Sequence, residues 1–186
     1  MIPIILDVTT VRAALVGEGE GTLRRLQFLR GHGAEPVALF APAPSPALAQ
    51  EAGAIRIPRW PVAEDLASIH LLFAAGLAPD HADMVVRAAR AAKTLLNIED
   101  LTALCDVHVP ATVRRGDLLL TASTGGRAPG LARRLGQWLA DHFGPEWGER
   151  LTEIAALRDR LRANGASSQT ISHETERLIE ERGWLS

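Results

Sequence analysis

The chain has 186 residues, 47% of them apolar, with a formal net charge of −2 and a single cysteine. That length suits one domain with an appendage or two small domains, and the apolar share is enough for a proper core. Near-neutral charge argues against a dedicated nucleic-acid binder, one cysteine excludes an internal disulfide framework or a multi-cysteine metal site, and no apolar run is long enough to span a membrane.

"MIPIILDVTT" lacks a basic n-region, so the expectation is a soluble, cytoplasmic protein. Its "IPIILD" and the later "VRAALVG" both read as short β-type runs, and the second feeds a glycine-rich loop. "TLRRLQFLRGHG" reads as a helix, with leucines spaced by three and "GHG" as its stop. "EPVALFAP" reads as a buried strand. "SPALAQEAGA" reads as a helix with Ser45 as N-cap and Pro46 in the first turn. "IRIPRW" is a short outer strand, "SIHLLFAAG" a buried strand, "PDHADMVVRAARAAK" an Ala-rich helix and "TLLNIED" a further buried strand. Strands alternating with helices imply right-handed βαβ units, hence a Rossmann-like parallel sheet in an α/β fold. Ligands of such sheets sit at the carboxyl ends of the strands.

The pattern then changes. "DVHVPATVRRGDLLLTASTGG" reads as two strands about a turn at Arg115-Gly116-Asp117. "APGLARRLGQWLADHFG" is an amphipathic helix, and the remainder is helical with a break at Gly165. The expected organisation is a Rossmann-like nucleotide-binding domain over 1–109, a small strand-plus-helix dimerisation segment over 110–145 and a C-terminal helical domain over 146–186. The middle segment has little core of its own, so a homodimer is expected.

The loop after the first nucleotide-side strand is Gly17-Glu18-Gly19-Glu20-Gly21-Thr22. Gly17 suits a tight turn, Gly19 suits close approach of backbone to phosphate, and the following helix offers free N–H groups with a positive dipole end. Thr22 falls where a third glycine would stand, and a small residue there still permits helix–strand packing. A ligand-free glycine-rich turn fits the same residues. No acid follows at the end of the next strand, where a ribose partner is usual, and Glu18 and Glu20 put negative charge beside a pyrophosphate. Binding of NAD is therefore expected to be weak.

The block Asn97-Ile98-Glu99-Asp100, then Cys105-Asp106-Val107-His108-Val109-Pro110-Ala111, then Ser123-Thr124-Gly125-Gly126-Arg127-Ala128-Pro129-Gly130-Leu131-Ala132-Arg133 resembles the N-terminal module of siroheme synthase. That family carries N-V-x-D, a C-D-F-x-x-P-A-like strand and an S-T/S-G-G-x-S-P-x-L-A-R run. "IPIILDV" is similar to its L-P-I-F-L-D-L. The resemblance covers about three-quarters of the chain. It implies NAD-dependent oxidation of precorrin-2 to sirohydrochlorin, with iron or cobalt insertion as a second reaction, in an intertwined homodimer. The family's catalytic aspartate falls on Asp100. Its cofactor contacts fall on Gly17, Gly19, Glu20, Gly21 and Thr22, and on the backbone of Ala41 and Pro42. Its modifiable serine falls on Thr124. The departures lie on the nucleotide side: the family's G-G-G-x-V-A is altered at residues 17–22, and its A-T-D-D is Ala75-Gly76-Leu77-Ala78 here.

A carboxylate at Asp100 can take a proton from precorrin-2 as hydride leaves, or from a pyrrole nitrogen as metal enters. The residues alone favour Asp100 as a cap for the turn after Asn97, and the resemblance turns the balance to catalysis. Cys105 and His108 are too few for a metal site, and Cys105 reads as a small buried hydrophobe. The acidic edge of a tetrapyrrole needs fixed positive charge, and Arg127, with Ser123 and Thr124 beside it, is the substrate-binding candidate. Two rivals stand beside the dehydrogenase: a tetrapyrrole- or metal-binding homologue that has lost hydride transfer, and an NAD-binding regulator.

Overall fold

The computed structural model describes residues 1–185, which divide into two compact units, Met1–Val109 and the chain from Pro110 onward. The first unit is a five-stranded parallel sheet with helices on both faces. Its strands are β1 (Ala13–Val16), β2 (Ala38–Phe40), β3 (Arg56–Ile57), β4 (Leu71–Ala74) and β5 (Leu95–Ile98), in the order β3-β2-β1-β4-β5. Its helices are α1 (Glu20–Gly31), α2 (Pro46–Ala52), α3 (Ala63–Leu66) and α4 (Pro79–Ala92). Every pairing is parallel, with Ala14 opposite both Ala38 and Leu72.

Alternation along the strands divides the core in two. Ala14, Val16, Phe40, Leu72 and Leu96 face Leu66 and Val85 of α3 and α4. Leu15, Leu39 and Phe73 face Leu23, Leu26 and Leu29 of α1 and Leu48 of α2. The leucine spacing of three that marks α1 in the sequence is therefore its buried stripe. Each fully buried leucine removes apolar area worth about 2 kcal/mol from water. Ser45 caps α2 through its side chain, which accepts from the Leu48 amide, and Pro46 occupies the first turn.

One element differs from expectation. "IPIILD" forms no strand; Ile2, Ile4 and Ile5 are exposed. Both flanks of β1 are taken, by β2 and β4, so the central position that its hydropathy suggests is already filled. Asp7 instead closes a turn, accepting from the Thr9 amide and hydroxyl. Sequence periodicity also passes over α3, which is a single turn.

The second unit opens with an antiparallel hairpin of β6 (Ala111–Arg115) and β7 (Leu118–Ala122), turning at Gly116 with φ of 58°. Helix α5 (Pro129–His142) lies on the hairpin, with Gly136 against Ala111. The Arg115 guanidinium donates to the carbonyls of Ala140 and Phe143, holding the end of α5. Helices α6 (Glu146–Ala163) and α7 (Ser168–Glu181) follow, linked through Gly165 and tied by Arg182 to Glu153 at 2.6 Å. Among the described residues no helix is long and apolar enough to cross a membrane.

Candidate active site

In a 3-2-1-4-5 sheet the chain reverses direction between β1 and β4, and the carboxyl ends of those strands open a crevice. The loop from β1 to α1 lies at this point. Gly17 has φ of 141°, and a Cβ on it would stand 2.0 Å from the Ala75 carbonyl oxygen and 2.3 Å from Thr22 Oγ1. Only glycine fits. Thr22 is buried and donates through its hydroxyl to that same carbonyl at 3.0 Å, fastening the first turn of α1 to the end of β4. Gly19 is the N-cap of α1 and faces open space, and no side chain caps the turn. The first N–H groups of α1 are therefore free to receive an anion.

A carboxylate lies close to this turn. The Glu99 carboxylate accepts from the Gly76 amide at 3.2 Å, and its Oε2 stands 2.6 Å from where a Gly21 Cβ would be. The open N-terminus and the space over Gly19 fit a dinucleotide pyrophosphate, whereas the Glu99 carboxylate next to Gly21 adds a like charge. Glu20 sits in the first turn with its side chain exposed, so its contribution to a phosphate is its backbone N–H.

Beside this crevice a cavity of about 340 Å³ is lined by Ala75, Gly76, Leu77, Pro79, Glu99, Asp100 and Leu101 among others. Asp100 adopts the left-handed conformation at φ of 61°, uncommon outside Gly, Asn and Asp. Its carboxylate has no hydrogen-bond partner among the described residues. The following turn, Thr102–Leu104, has Leu101 at its cap position and no side-chain cap, so capping does not explain Asp100.

The loop bearing Asp100 is fixed from behind. Cys105 Sγ accepts from the Ile98 amide at 3.3 Å and donates to the Ile98 carbonyl at 3.2 Å. Asp106 accepts from the Leu96 amide at 3.0 Å and pairs with Arg90, whose other nitrogen donates to the Leu104 carbonyl. Asn97 donates to the Val107 carbonyl at 2.9 Å. Cys105 packs half-buried against the core, as a small hydrophobe would, and its thiol also hydrogen-bonds to the Ile98 backbone. Across the sheet, the Arg25 guanidinium lies over the rings of Phe73 at 5.1 Å and Phe28 at 5.4 Å. Burial pulls its pKa below the ordinary arginine value, against the charge of Glu99, which favours the cation.

Ala41 and Pro42 follow β2. Their carbonyls accept from Arg56 Nε at 3.3 Å and Nη2 at 3.1 Å respectively. In the second unit, Ser123, Thr124 and Arg127 share one turn ahead of α5: the Gly125 amide donates to Ser123 Oγ, and the Ala128 amide to Thr124 Oγ1.

The family model described as "Putative NAD(P)-binding" matches residues 4–111. The chain belongs to this NAD(P)-binding family. Among its relatives it is 34% identical over 167 residues to siroheme synthase of Xylella fastidiosa (strain M12), covering 88% of this chain and 35% of that protein. It is 35% identical over 170 residues to siroheme synthase of Pseudomonas putida (strain W619), covering 87% and 34%. The match to the Methylococcus capsulatus (strain ATCC 33009 / NCIMB 11132 / Bath) siroheme synthase is 32% over 184 residues, covering 96% and 38%. The chain therefore spans about a third of the length of these relatives. A solved structure titled "SirC, precorrin-2 dehydrogenase" has the same fold, with a TM-score of 0.76 over 100% of this chain and 93% of that one at 20% identity. The NAD(P)-binding family and the Rossmann-like α/β fold agree with the sequence reading.

Sequence reasoning missed the partners of Glu99, Cys105 and Asp106. One signal was available. Gly21 replaces the valine of the family's G-G-G-x-V-A, and Glu99 fills the free position of N-V-x-D. A lost side chain and an added acid, seventy-odd positions apart, meet in space.

Proposed function

We propose that the chain is an NAD-dependent precorrin-2 dehydrogenase that forms sirohydrochlorin on the way to siroheme. The observation that carries this is the Asp100 carboxylate, unpartnered among the described residues, at the carboxyl end of β5 in a cavity that adjoins the glycine turn. The oxidation removes a hydride and a proton from the macrocycle. NAD, when bound, supplies the hydride acceptor. Asp100 takes the proton. Gly17 shapes the turn, and the backbone of Gly19, Glu20, Gly21 and Thr22 meets the pyrophosphate. The backbone of Ala41 and Pro42 meets the adenosine end. Arg127, with the hydroxyls of Ser123 and Thr124, binds the acidic side chains of the substrate.

In the same reading Asp100 also accepts pyrrole protons as ferrous iron or cobalt enters, which gives chelatase activity with the metal as substrate. The chain divides as 1–109 for NAD, 110–145 for dimerisation and 146–186 as a helical domain. Support for a homodimer comes from α5, where Leu131, Leu135 and Trp138 form an exposed apolar stripe at spacings of four and three. The cytoplasm is the location that this reading implies.

One observation favours a second reading, a tetrapyrrole- or metal-binding homologue without hydride transfer: the Glu99 carboxylate stands next to Gly21 of the glycine turn, where its charge would oppose a pyrophosphate. Incubation with precorrin-2 and NAD separates the two. NADH and sirohydrochlorin should appear in equal amounts; sirohydrochlorin binding without NADH formation would establish the second reading.

A further inference from the structure

We propose that Glu18 reads the adenosine ribose and makes this site selective for NAD over NADP, an inference that rests on the cofactor reading above. Dinucleotide sites on this strand order usually hold the ribose diol with an acid at the end of β2. Here that stretch, residues 41–45, carries no acid. The structure supplies one from the neighbouring loop. Glu18 Oε1 accepts from the Ala43 amide at 2.7 Å, and the Glu18 carbonyl accepts from the Ser45 amide at 2.8 Å. The carboxylate thus lies over the carboxyl ends of β1 and β2, the position the missing acid would occupy. One of its oxygens is engaged, and the other has no partner among the described residues. A ribose diol can donate to that oxygen. A 2′-phosphate would instead meet a fixed negative charge.

The opposing candidate stands on β3, next to the end of β2. Arg56 donates to the carbonyls of Ala41 and Pro42, and an arginine beside the β2 end is the usual reader of a 2′-phosphate. Its guanidinium is already engaged with two carbonyls, and no ion pair joins it to Glu18 among the described residues. Two of its five N–H donors are used in this way, so Arg56 keeps donors of its own, and its variant belongs in the test. This answers why a phosphate loop carries Glu18: its charge is turned from the pyrophosphate toward the ribose.

The test is calorimetric titration of the full chain with NAD and with NADP, for the parent protein, Glu18→Gln, Glu18→Gly and Arg56→Gln, with circular dichroism as the check on folding. The parent should prefer NAD by roughly ten- to a hundredfold, the usual worth of a hydrogen bond to a charged group. Both Glu18 variants should lose most of that preference, NAD weakening and NADP tightening, whereas Arg56→Gln should keep it. A parent that prefers NADP and loses it in Arg56→Gln would overturn the proposal in favour of Arg56. NAD binding with a ratio unchanged in both Glu18 variants would reduce Glu18 to a loop tie and leave the cofactor reading intact. Failure of the parent to bind either nucleotide at millimolar concentration would overturn both.

Discussion

Replacing Gly17 or Gly19 by alanine perturbs the same loop with opposite consequences. At Gly17 the added methyl would stand 2.0 Å from the Ala75 carbonyl oxygen and 2.3 Å from Thr22 Oγ1, on a backbone at φ of 141°. Ala75 continues β4 and cannot yield cheaply. Holding alanine in that conformation costs about 1–3 kcal/mol. Breaking the buried Thr22–Ala75 hydrogen bond costs about 1–3 kcal/mol more. Together they remove about 2–6 kcal/mol from a stability on the order of 5–15 kcal/mol. Gly19 has φ of −103° and nothing within 4 Å of an added methyl. Its replacement costs about 1 kcal/mol or less, the difference between glycine and alanine at an N-cap. That methyl projects into the space a pyrophosphate needs, so NAD affinity should fall at least about tenfold, a loss of about 1.4 kcal/mol. Urea melts followed by far-ultraviolet circular dichroism give the first quantity and calorimetry the second. A Gly17→Ala melt within about 1 kcal/mol of the parent, or undiminished NAD binding by Gly19→Ala, would refute the reasoning.

Asp100→Asn should lower precorrin-2 oxidation by roughly two to four orders of magnitude and leave the melt nearly unchanged, because asparagine tolerates the left-handed backbone; full turnover would end Asp100's claim to catalysis. Gly21→Val should drive Glu99 off the Gly76 amide, and adding Glu99→Val should relieve the clash, giving a coupling of at least about 0.5 kcal/mol in a double-mutant cycle of urea melts; additive effects would show that the two do not interact. Light scattering at micromolar concentration should give twice the chain mass, falling to one chain in Leu135→Glu; a monomeric parent would remove the dimer.

Most of the fold is legible in the sequence because its elements are marked by local rules. Leu23, Leu26 and Leu29 mark α1 by period, and Ser45 with Pro46 marks the start of α2 by capping chemistry. "IPIILD" satisfies the same hydropathy rule as a strand and fails, because strand formation needs a free neighbour and β1 has none to offer. The site is legible where it is backbone: Gly17, Gly19 and Thr22 announce a tight turn before a helix. It is opaque where it depends on long-range side-chain partners. Glu18 in isolation reads as an unwanted charge, and only its contact with Ala43, twenty-five positions on, gives it a direction. Cys105 reads as a hydrophobe because its use depends on the Ile98 amide and carbonyl lying opposite.

The Cys105-Asp106 pair has a consequence for solubility. As the last strand of the sheet, β5 turns alternate peptide groups outward, an invitation to intermolecular pairing. The N–H and C=O of Leu96 are taken by the Asp106 carboxylate and amide, and those of Ile98 by the Cys105 thiol. At the opposite margin β3 is only two residues long. The loop that presents Asp100 therefore also seals the sheet against strand addition. Damage to the thiol by oxidation or alkylation would unmask Ile98 and invite aggregation, so loss of soluble protein should accompany, and can masquerade as, loss of catalysis.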